Sequence, residues 1–203
     1  MGDTMDKMKG LDFSEILIDD PAAVPGGYDG WPTGRKYNVI YADPPWAYKD
    51  AGHLQKPGYP TQSLSWICNL PVADIAAPDC CLIMWAVSPM LDDAFKVISA
   101  WGFKYKTVAY VWSKRCEDGR PRYNLGQWTM GNVEMCLLAT RGKPNQFRQD
   151  KSVKQLVEAP RGRHSAKPAE VRRRIESLFG DLPRIELFAR ERVPGWDAWG
   201  NEV

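Results

Sequence analysis

Apolar residues gather along this chain in short blocks, separated by polar stretches that carry Gly and Pro. Tyr37–Ala42 (YNVIYA) is a β-branched and aromatic run that stops at Asp43-Pro44-Pro45, which predicts a buried strand with a sharp end. Cys80–Val87 (CCLIMWAV), Thr107–Trp112, Val133–Ala139 (VEMCLLA) and Ile185–Ala189 (IELFA) predict further strands, and Lys154–Ala159 a weaker one. Met90–Trp101 repeats apolar side chains at helical spacing through Leu91, Ala94, Phe95, Val97 and Ile98, and Gly102 ends it. Pro168 stands at a first helical position with Glu170 near the third, so a second helix runs to Phe179, before Gly180. Residues 1–36, acidic and then rich in Pro and Gly, read as a loose lead-in to one domain over 37–203. Residues 47–63 and 113–132 read as long loops. Strands alternating with helices predict an α/β fold with a largely parallel central sheet.

Composition narrows the class. At 203 residues, with 44% hydrophobic and 26% charged side chains, the chain can bury a full core. No apolar run reaches the roughly 18 residues of a membrane span. The opening MGDTMDKMKG lacks the apolar stretch of a signal peptide, and Asp6 stands where myristoylation wants Ser or Thr. Cys68, Cys80, Cys81, Cys116 and Cys136 form no C-x-x-C pair, and there are two histidines, so neither zinc nor a disulfide framework is expected. A reducing cytoplasm is the expected setting. Net charge is only +2, but it is unevenly spread. Residues 1–20 carry −4; residues 141–174 carry eleven Lys or Arg against three acids. Such a basic region suits phosphates, or it is a solvated face.

Asp43-Pro44-Pro45-Trp46 is the sharpest chemical signal. In an open α/β sheet, ligands bind outside the carboxyl ends of the strands, where this tetrapeptide falls. Asp43 accepts hydrogen bonds, and each proline keeps a carbonyl while losing its N–H. Rigid acceptors followed by an indole suit an amino group on a flat ring, such as adenine or cytosine. Such an amine is a poor nucleophile, because its lone pair is conjugated into the ring. Asp43 and the Pro44 carbonyl would bind its two hydrogens and favour the charge that develops during attack. Trp46 would hold the ring by stacking. The plainer alternative is a strand-ending turn with Trp46 in the core.

Tyr37–Trp46 resembles the catalytic motif of the N6-adenine methyltransferase family typified by the catalytic subunit of the eukaryotic mRNA adenosine methyltransferase. The resemblance continues in order through Tyr59, Leu82–Trp85, Gln127-Trp128, Asn132-Val133-Glu134 and His164-Ser165-Ala166-Lys167-Pro168. It closes with Arg184–Arg190, Gly195-Trp196 and Trp199-Gly200-Asn201-Glu202. It implies a Rossmann-like, S-adenosyl-L-methionine-dependent methyltransferase sheet with helices on both faces and a permuted motif order. Permutation explains why no G-x-G-x-x-G follows an early strand.

The resemblance also implies roles. Asp43, Pro44, Pro45 and Trp46 would be catalytic, with Asp43 also touching the cofactor. Lys167 would pair with the methionine carboxylate, helped by the helix that follows. Arg190, Asn201 and Glu202 would reach the cofactor's ribose and adenine, and Glu186 would lie beside them or form a structural ion pair. Glu191-Arg192-Val193 departs from the mRNA-type pattern. Tyr59 and Trp128 would hold a flipped base. Asn132 and Glu134 would shape its pocket or brace the loop, and Lys114, Arg115, Arg120 and Arg122 would reach phosphates. Trp85 reads as core and His53 as a surface loop residue. No metal is needed, because methyl transfer from a sulfonium requires alignment rather than a Lewis acid.

The leading expectation is N6-adenine methylation of nucleic acid, DNA ahead of RNA because no zinc-finger or other RNA-binding pattern is appended. A catalytically inactive nucleic-acid-binding scaffold, an RNA adenosine methyltransferase and cytosine N4 methylation are the alternatives. The intact Asp43–Trp46 motif and Lys167 weigh against the scaffold. Nothing in the sequence specifies an oligomer.

Overall fold

The computed structural model describes residues 29–47, 60–126, 128–162 and 166–203. Tyr59, His53, Gln127, His164 and Ser165 lie outside the described residues, as do residues 1–28 of the lead-in and most of the 47–63 loop. Strands β1 (Tyr37–Ala42), β2 (Ala76–Ala86), β3 (Lys104–Arg115), β4 (Val133–Arg141), β5 (Leu156–Pro160), β6 (Arg184–Leu187) and β7 (Asp197–Trp199) form one sheet. Its order is β5-β3-β4-β2-β1-β6-β7. Helices are α1 (Leu64–Asn69), α2 (Val72–Ile75), α3 (Leu91–Ala100) and α4 (Ala169–Phe179).

The central strands are buried on both faces, which is why they read as continuous apolar runs rather than alternating ones. Ile40, Leu82 and Met84 point to the face that α1, α2 and α3 cover with Ile67, Val72, Ile75, Ala94, Val97 and Ile98. Val39, Tyr41, Cys81, Ile83 and Trp85 point to the other face, against Val171, Ile175 and Phe179 of α4. Those three stand at i, i+4 and i+8, a single helical stripe. The sheet is an α/β Rossmann-like one with helices on both faces.

Its strands are less uniformly parallel than the pattern predicts. β1 pairs in parallel with β2 and β6, β6 with β7, and β3 with β5. β4, however, runs antiparallel to both β2 and β3. A buried apolar run carries no mark of its direction. Two short helices and β7 escape the periodicity because three to six residues are too few to show it. β2 begins earlier than its apolar run, at Ala76. Pro78 is exposed in the irregularity where Tyr37 pairs with Ala76 and Val39 with Cys81, a place where a ladder tolerates proline. β3 reaches Arg115, so Lys114 and Arg115 belong to a strand rather than to the loop.

Aromatic rings fill the α4 face, and two of the indoles there direct their N–H groups to buried partners. The Trp85 indole N–H donates to the Tyr41 hydroxyl at 2.6 Å, and the Trp112 indole N–H to the Ala159 carbonyl at 2.9 Å. Trp85 and Trp112 meet edge to face, as do Tyr41 and Trp196. Tyr41→Phe keeps this packing volume but leaves the Trp85 N–H unpaired in the interior. The expected cost is about 1–3 kcal/mol, read as a lower midpoint in urea with an unchanged slope.

Candidate active site

Strand direction decides where the chemistry collects. β1 and β6 are parallel, so Asp43 and Phe188 emerge at the same end of the sheet. β2 is parallel to β1 and β4 antiparallel to β2, with Ala86 opposite Met135, so the start of β4 lies at that end too. The end of β3 is there as well, with Trp112 opposite Glu134, and so is the end of β5, with Arg115 opposite Pro160. Asp43, Glu134, Lys114 and the chain leading to Lys167 therefore converge from four strands, β1, β4, β3 and β5.

They meet as a row of alternating charges. The Lys167 ammonium donates to the Asp43 carboxylate at 2.7 Å and approaches Glu134 at 3.4 Å. Glu134 is also 2.5 Å from Lys114. The Lys167 ammonium lies 5.5 Å from the centre of the Trp85 ring, and Lys114 stands 5.4 Å from that of Trp112. Burial alone would raise the Glu134 carboxyl, but Lys167 and Lys114 outweigh it and hold the group below its ordinary value.

Beside Asp43 lies a cleft lined by Asp43, Pro44, Pro45, Pro60, Phe188, Arg190, Asn201 and Glu202. Five of the residues expected at the cofactor or catalytic site besides Asp43 are thus together: Pro44, Pro45, Arg190, Asn201 and Glu202. Arg190 and Glu202 face each other at 3.8 Å. The Pro44 carbonyl accepts the Trp46 N–H at 2.9 Å, and the Pro45 carbonyl accepts the Gln62 N–H at 2.9 Å. Each carbonyl oxygen retains a second lone pair.

Two cleft features lay outside the sequence reading. Phe188 adopts φ 62°, rare for a bulky residue, as β6 ends. Its ring packs edge to face on Trp199 at 5.6 Å. Gly200 presses on the same turn: a Cβ there would come within 2.3 Å of the Ala189 carbonyl oxygen. Gly200 was visible in the closing motif, whereas the left-handed Phe188 has no sequence signal of its own.

Several expected roles are corrected. Trp46 is 3% exposed, part of the core under β2, and its indole N–H donates to the Trp85 carbonyl at 3.2 Å. It offers no face to a substrate ring; it braces the turn that carries Asp43. Glu186 is taken by Arg172 at 2.7 and 3.3 Å and does not line the cleft. Burial raises its carboxyl above the ordinary value despite that guanidinium. Lys167 is not among the residues lining the cleft; within the row of charges just described its ammonium is bonded to Asp43, which does line it. Lys114 is buried against Glu134, and Arg115 is paired with Glu158, so neither projects as a loop cation. Arg120 pairs with Asp118, and Arg122 lines a shallow groove with Arg115, Arg161, Glu117 and Asp118. Asn132 accepts the Lys114 N–H through its carbonyl, closing the root of the loop. Trp128 is 96% exposed, away from any enclosed pocket. The basic run divides: Arg172 pairs with Glu186 and Glu191, and Arg173 and Arg174 with Glu170.

Residues 37–202 match the MT-A70 family model. The chain belongs to the MT-A70 family. Among its relatives, a type II methyltransferase, M.MunI, from Mycoplasma sp is 38% identical over 189 residues, covering 83% of this chain and 78% of that protein. The human N(6)-adenosine-methyltransferase catalytic subunit METTL3 is 28% identical over 173 residues, 83% of this chain and 28% of its own length. The mouse N(6)-adenine-specific methyltransferase METTL4 is 29% identical over 184 residues, 84% and 38% respectively. Among the described residues, no helix of this MT-A70 chain is long and apolar enough to cross a membrane.

Glu134→Gln tests the row of charges. It leaves two largely buried ammonium groups short of a partner, so stability should fall by about 3 kcal/mol. Because the Glu134 carboxyl is held low, its contribution is present above the ordinary glutamate range and is lost as pH falls through that lowered value. Melting curves across acid pH should show that limb in the parent and lack it in the variant.

Proposed function

We propose that this chain transfers a methyl group from S-adenosyl-L-methionine to the N6 amine of adenine in nucleic acid, DNA ahead of RNA. The observation that carries the reading is the placement of Asp43, at the carboxyl end of β1, between a rigid proline carbonyl and a cleft lined by Arg190, Asn201 and Glu202. The DNA preference is supported by the relative of similar extent being a type II methyltransferase, whereas the METTL3 and METTL4 relatives are matched over less than two fifths of their length.

The donor set fits the cofactor. Asn201 offers an amide to a nucleobase, the Glu202 and Asp43 carboxylates suit ribose hydroxyls or an amino group, and Arg190 offers guanidinium donors to ring-nitrogen or hydroxyl acceptors. Lys167, already beside Asp43, would meet the carboxylate of the methionine moiety. When bound, the cofactor supplies an electrophilic methyl group on a sulfonium sulfur. Asp43 and the second lone pair of the Pro44 carbonyl would accept the two N–H bonds of the adenine amine and so orient its nitrogen. As the N–C bond forms and the methyl–sulfur bond breaks, positive charge grows on that nitrogen, and the fixed Asp43 charge opposes it without rearrangement. One proton then leaves the amine toward Asp43 or solvent. Lys167 holds the Asp43 carboxylate in place; Trp46 holds the turn.

Incubation with labelled cofactor and separate pools of DNA and RNA, followed by nucleoside analysis, should give N6-methyladenine, in DNA above RNA. N4-methylcytosine, or no product in either pool, would overturn the proposal. Asp43→Asn, nearly the same in shape, should still melt cooperatively yet slow single-turnover transfer by on the order of 10²–10³. Near-parent rates at saturating cofactor and substrate would remove Asp43 from the amine. Lys167→Met should weaken cofactor binding by about 1.5–3 kcal/mol in calorimetry, the worth of a charge-assisted contact; unchanged affinity would take Lys167 out of the cofactor site.

A further inference from the structure

The loop between β3 and β4 is more ordered in plan than its composition suggests. The backbone first doubles back from Lys114 to Arg122, with Arg115 bridging to Pro121 and Gly119 turning at φ 82°. It then pairs with itself a second time, between Asn124 and Gly131. The Asn124 N–H donates to the Gly131 carbonyl at 2.8 Å, and the Gly131 N–H returns to Asn124 at 3.0 Å. Within it Gly126 lies so close to the Thr129 carbonyl that a Cβ would come within 2.4 Å. This braced hairpin exposes Leu125 (80%), Trp128 (96%) and Met130, with Tyr123 at its root.

Exposure on this scale is unfavourable in water and calls for an occupant. The chain around the hairpin points to one. Arg122 and Arg161 stand near its base in a groove they share with Glu117, while Arg115 and Arg120 are held there in ion pairs with Glu158 and Asp118. The core of a protein–protein interface is depleted in charge, whereas here the exposed apolar side chains lie beside guanidinium groups. That combination matches a nucleic-acid duplex: cations for the two backbones, and apolar or aromatic wedges for the base stack. The hairpin leaves the sheet at the same end as Asp43, and Glu134, three residues after Gly131, belongs to the row of charges that reaches Asp43.

We infer that the 123–131 hairpin is a wedge for duplex DNA, inserting Leu125, Trp128 and Met130 into the base stack beside the target while the adenine turns out toward Asp43. The inference rests on the nucleic-acid reading above and adds to it a division of labour. The cleft and Asp43 handle a base already extruded; the hairpin fills the gap it leaves, which lowers the cost of extrusion from a paired stack. A single strand has no gap to fill.

The test uses the full chain, labelled S-adenosyl-L-methionine and unmethylated plasmid DNA, either duplex or heat-denatured and held single-stranded. The parent should methylate both. Leu125→Ser with Met130→Ser should melt as the parent does, lose about tenfold or more on the duplex, and stay within about twofold on the single strand. Equal losses on both forms, or none, would overturn the wedge while leaving the proposed reaction intact. A parent that methylates only single strands overturns it too. Failure of the parent on DNA and RNA alike would instead remove the reaction on which it rests. Binding gives a readout independent of activity. The parent should prefer a fluorescent duplex with one abasic site over the intact duplex by about fivefold; Trp128→Ala should lose that preference and Trp128→Phe keep most of it. A parent with no preference overturns the wedge. So does light scattering that shows a dimer in the parent and a monomer in Leu125→Ser with Met130→Ser, since the apolar tips would then be a subunit contact.

Discussion

Four charges of alternating sign, Lys114, Glu134, Lys167 and Asp43, hold together the end of the sheet on which everything else depends. Each is largely shielded from water, and an isolated charge in such a place would cost several kcal/mol or neutralise. In sequence the four span β3, β4, the segment before α4 and the turn after β1. Their pairing therefore ties strands that are not neighbours in the sheet. It also fixes the carboxylate of Asp43 from one side while the cleft approaches it from another. A carboxylate used to oppose developing charge has to be in place beforehand, and this row supplies the fixing.

The aromatic richness of the chain serves this end indirectly. Nine tryptophans suggest stacking surfaces for bases, yet Trp46, Trp85, Trp101 and Trp112 are all interior. Trp101 donates to the Ile67 carbonyl at 2.8 Å, Trp46 to Trp85 and Trp85 to Tyr41. Each indole thus joins two elements by packing and by one directed bond, which suits elements as short as α1 and α2. The turn at Asp43 to Trp46 is rigid because its last residue is anchored in that layer.

Legibility in the sequence followed the physics of each element. Continuous apolar runs announced the central strands, and the Asp43–Trp46 tetrapeptide announced the site, because fixed acceptors after a buried strand have few structural uses. Arg190, Asn201 and Glu202 came with the resemblance and line one cleft with Asp43. What could not be read was side-chain direction. Glu186 alternates with Ile185 and Leu187, so it points to the α4 face, where Arg172 waits. Lys114 looked like a loop cation because β3 continues three residues past its last apolar position, Trp112, to Arg115. The left-handed Phe188 is imposed by the close passage of Gly200, a contact between segments a dozen residues apart.

Strand polarity explains why the site could not be assembled from the sequence alone. Were β4 parallel to β2, its first residues would lie at the far end of the sheet, and Glu134 with them. Because it runs antiparallel, the loop that precedes it opens beside Asp43, and the first inward carboxylate after that loop lands on Lys167. One reversal therefore supplies both the third member of the charge row and a hairpin at the mouth of the site. Displacement of the hairpin's root would act on Glu134, and through Lys167 on the carboxylate proposed to meet the amine. The surface proposed to meet the substrate and the carboxylate proposed to act on it are linked by two ion pairs rather than by a long lever, so the coupling is short and electrostatic.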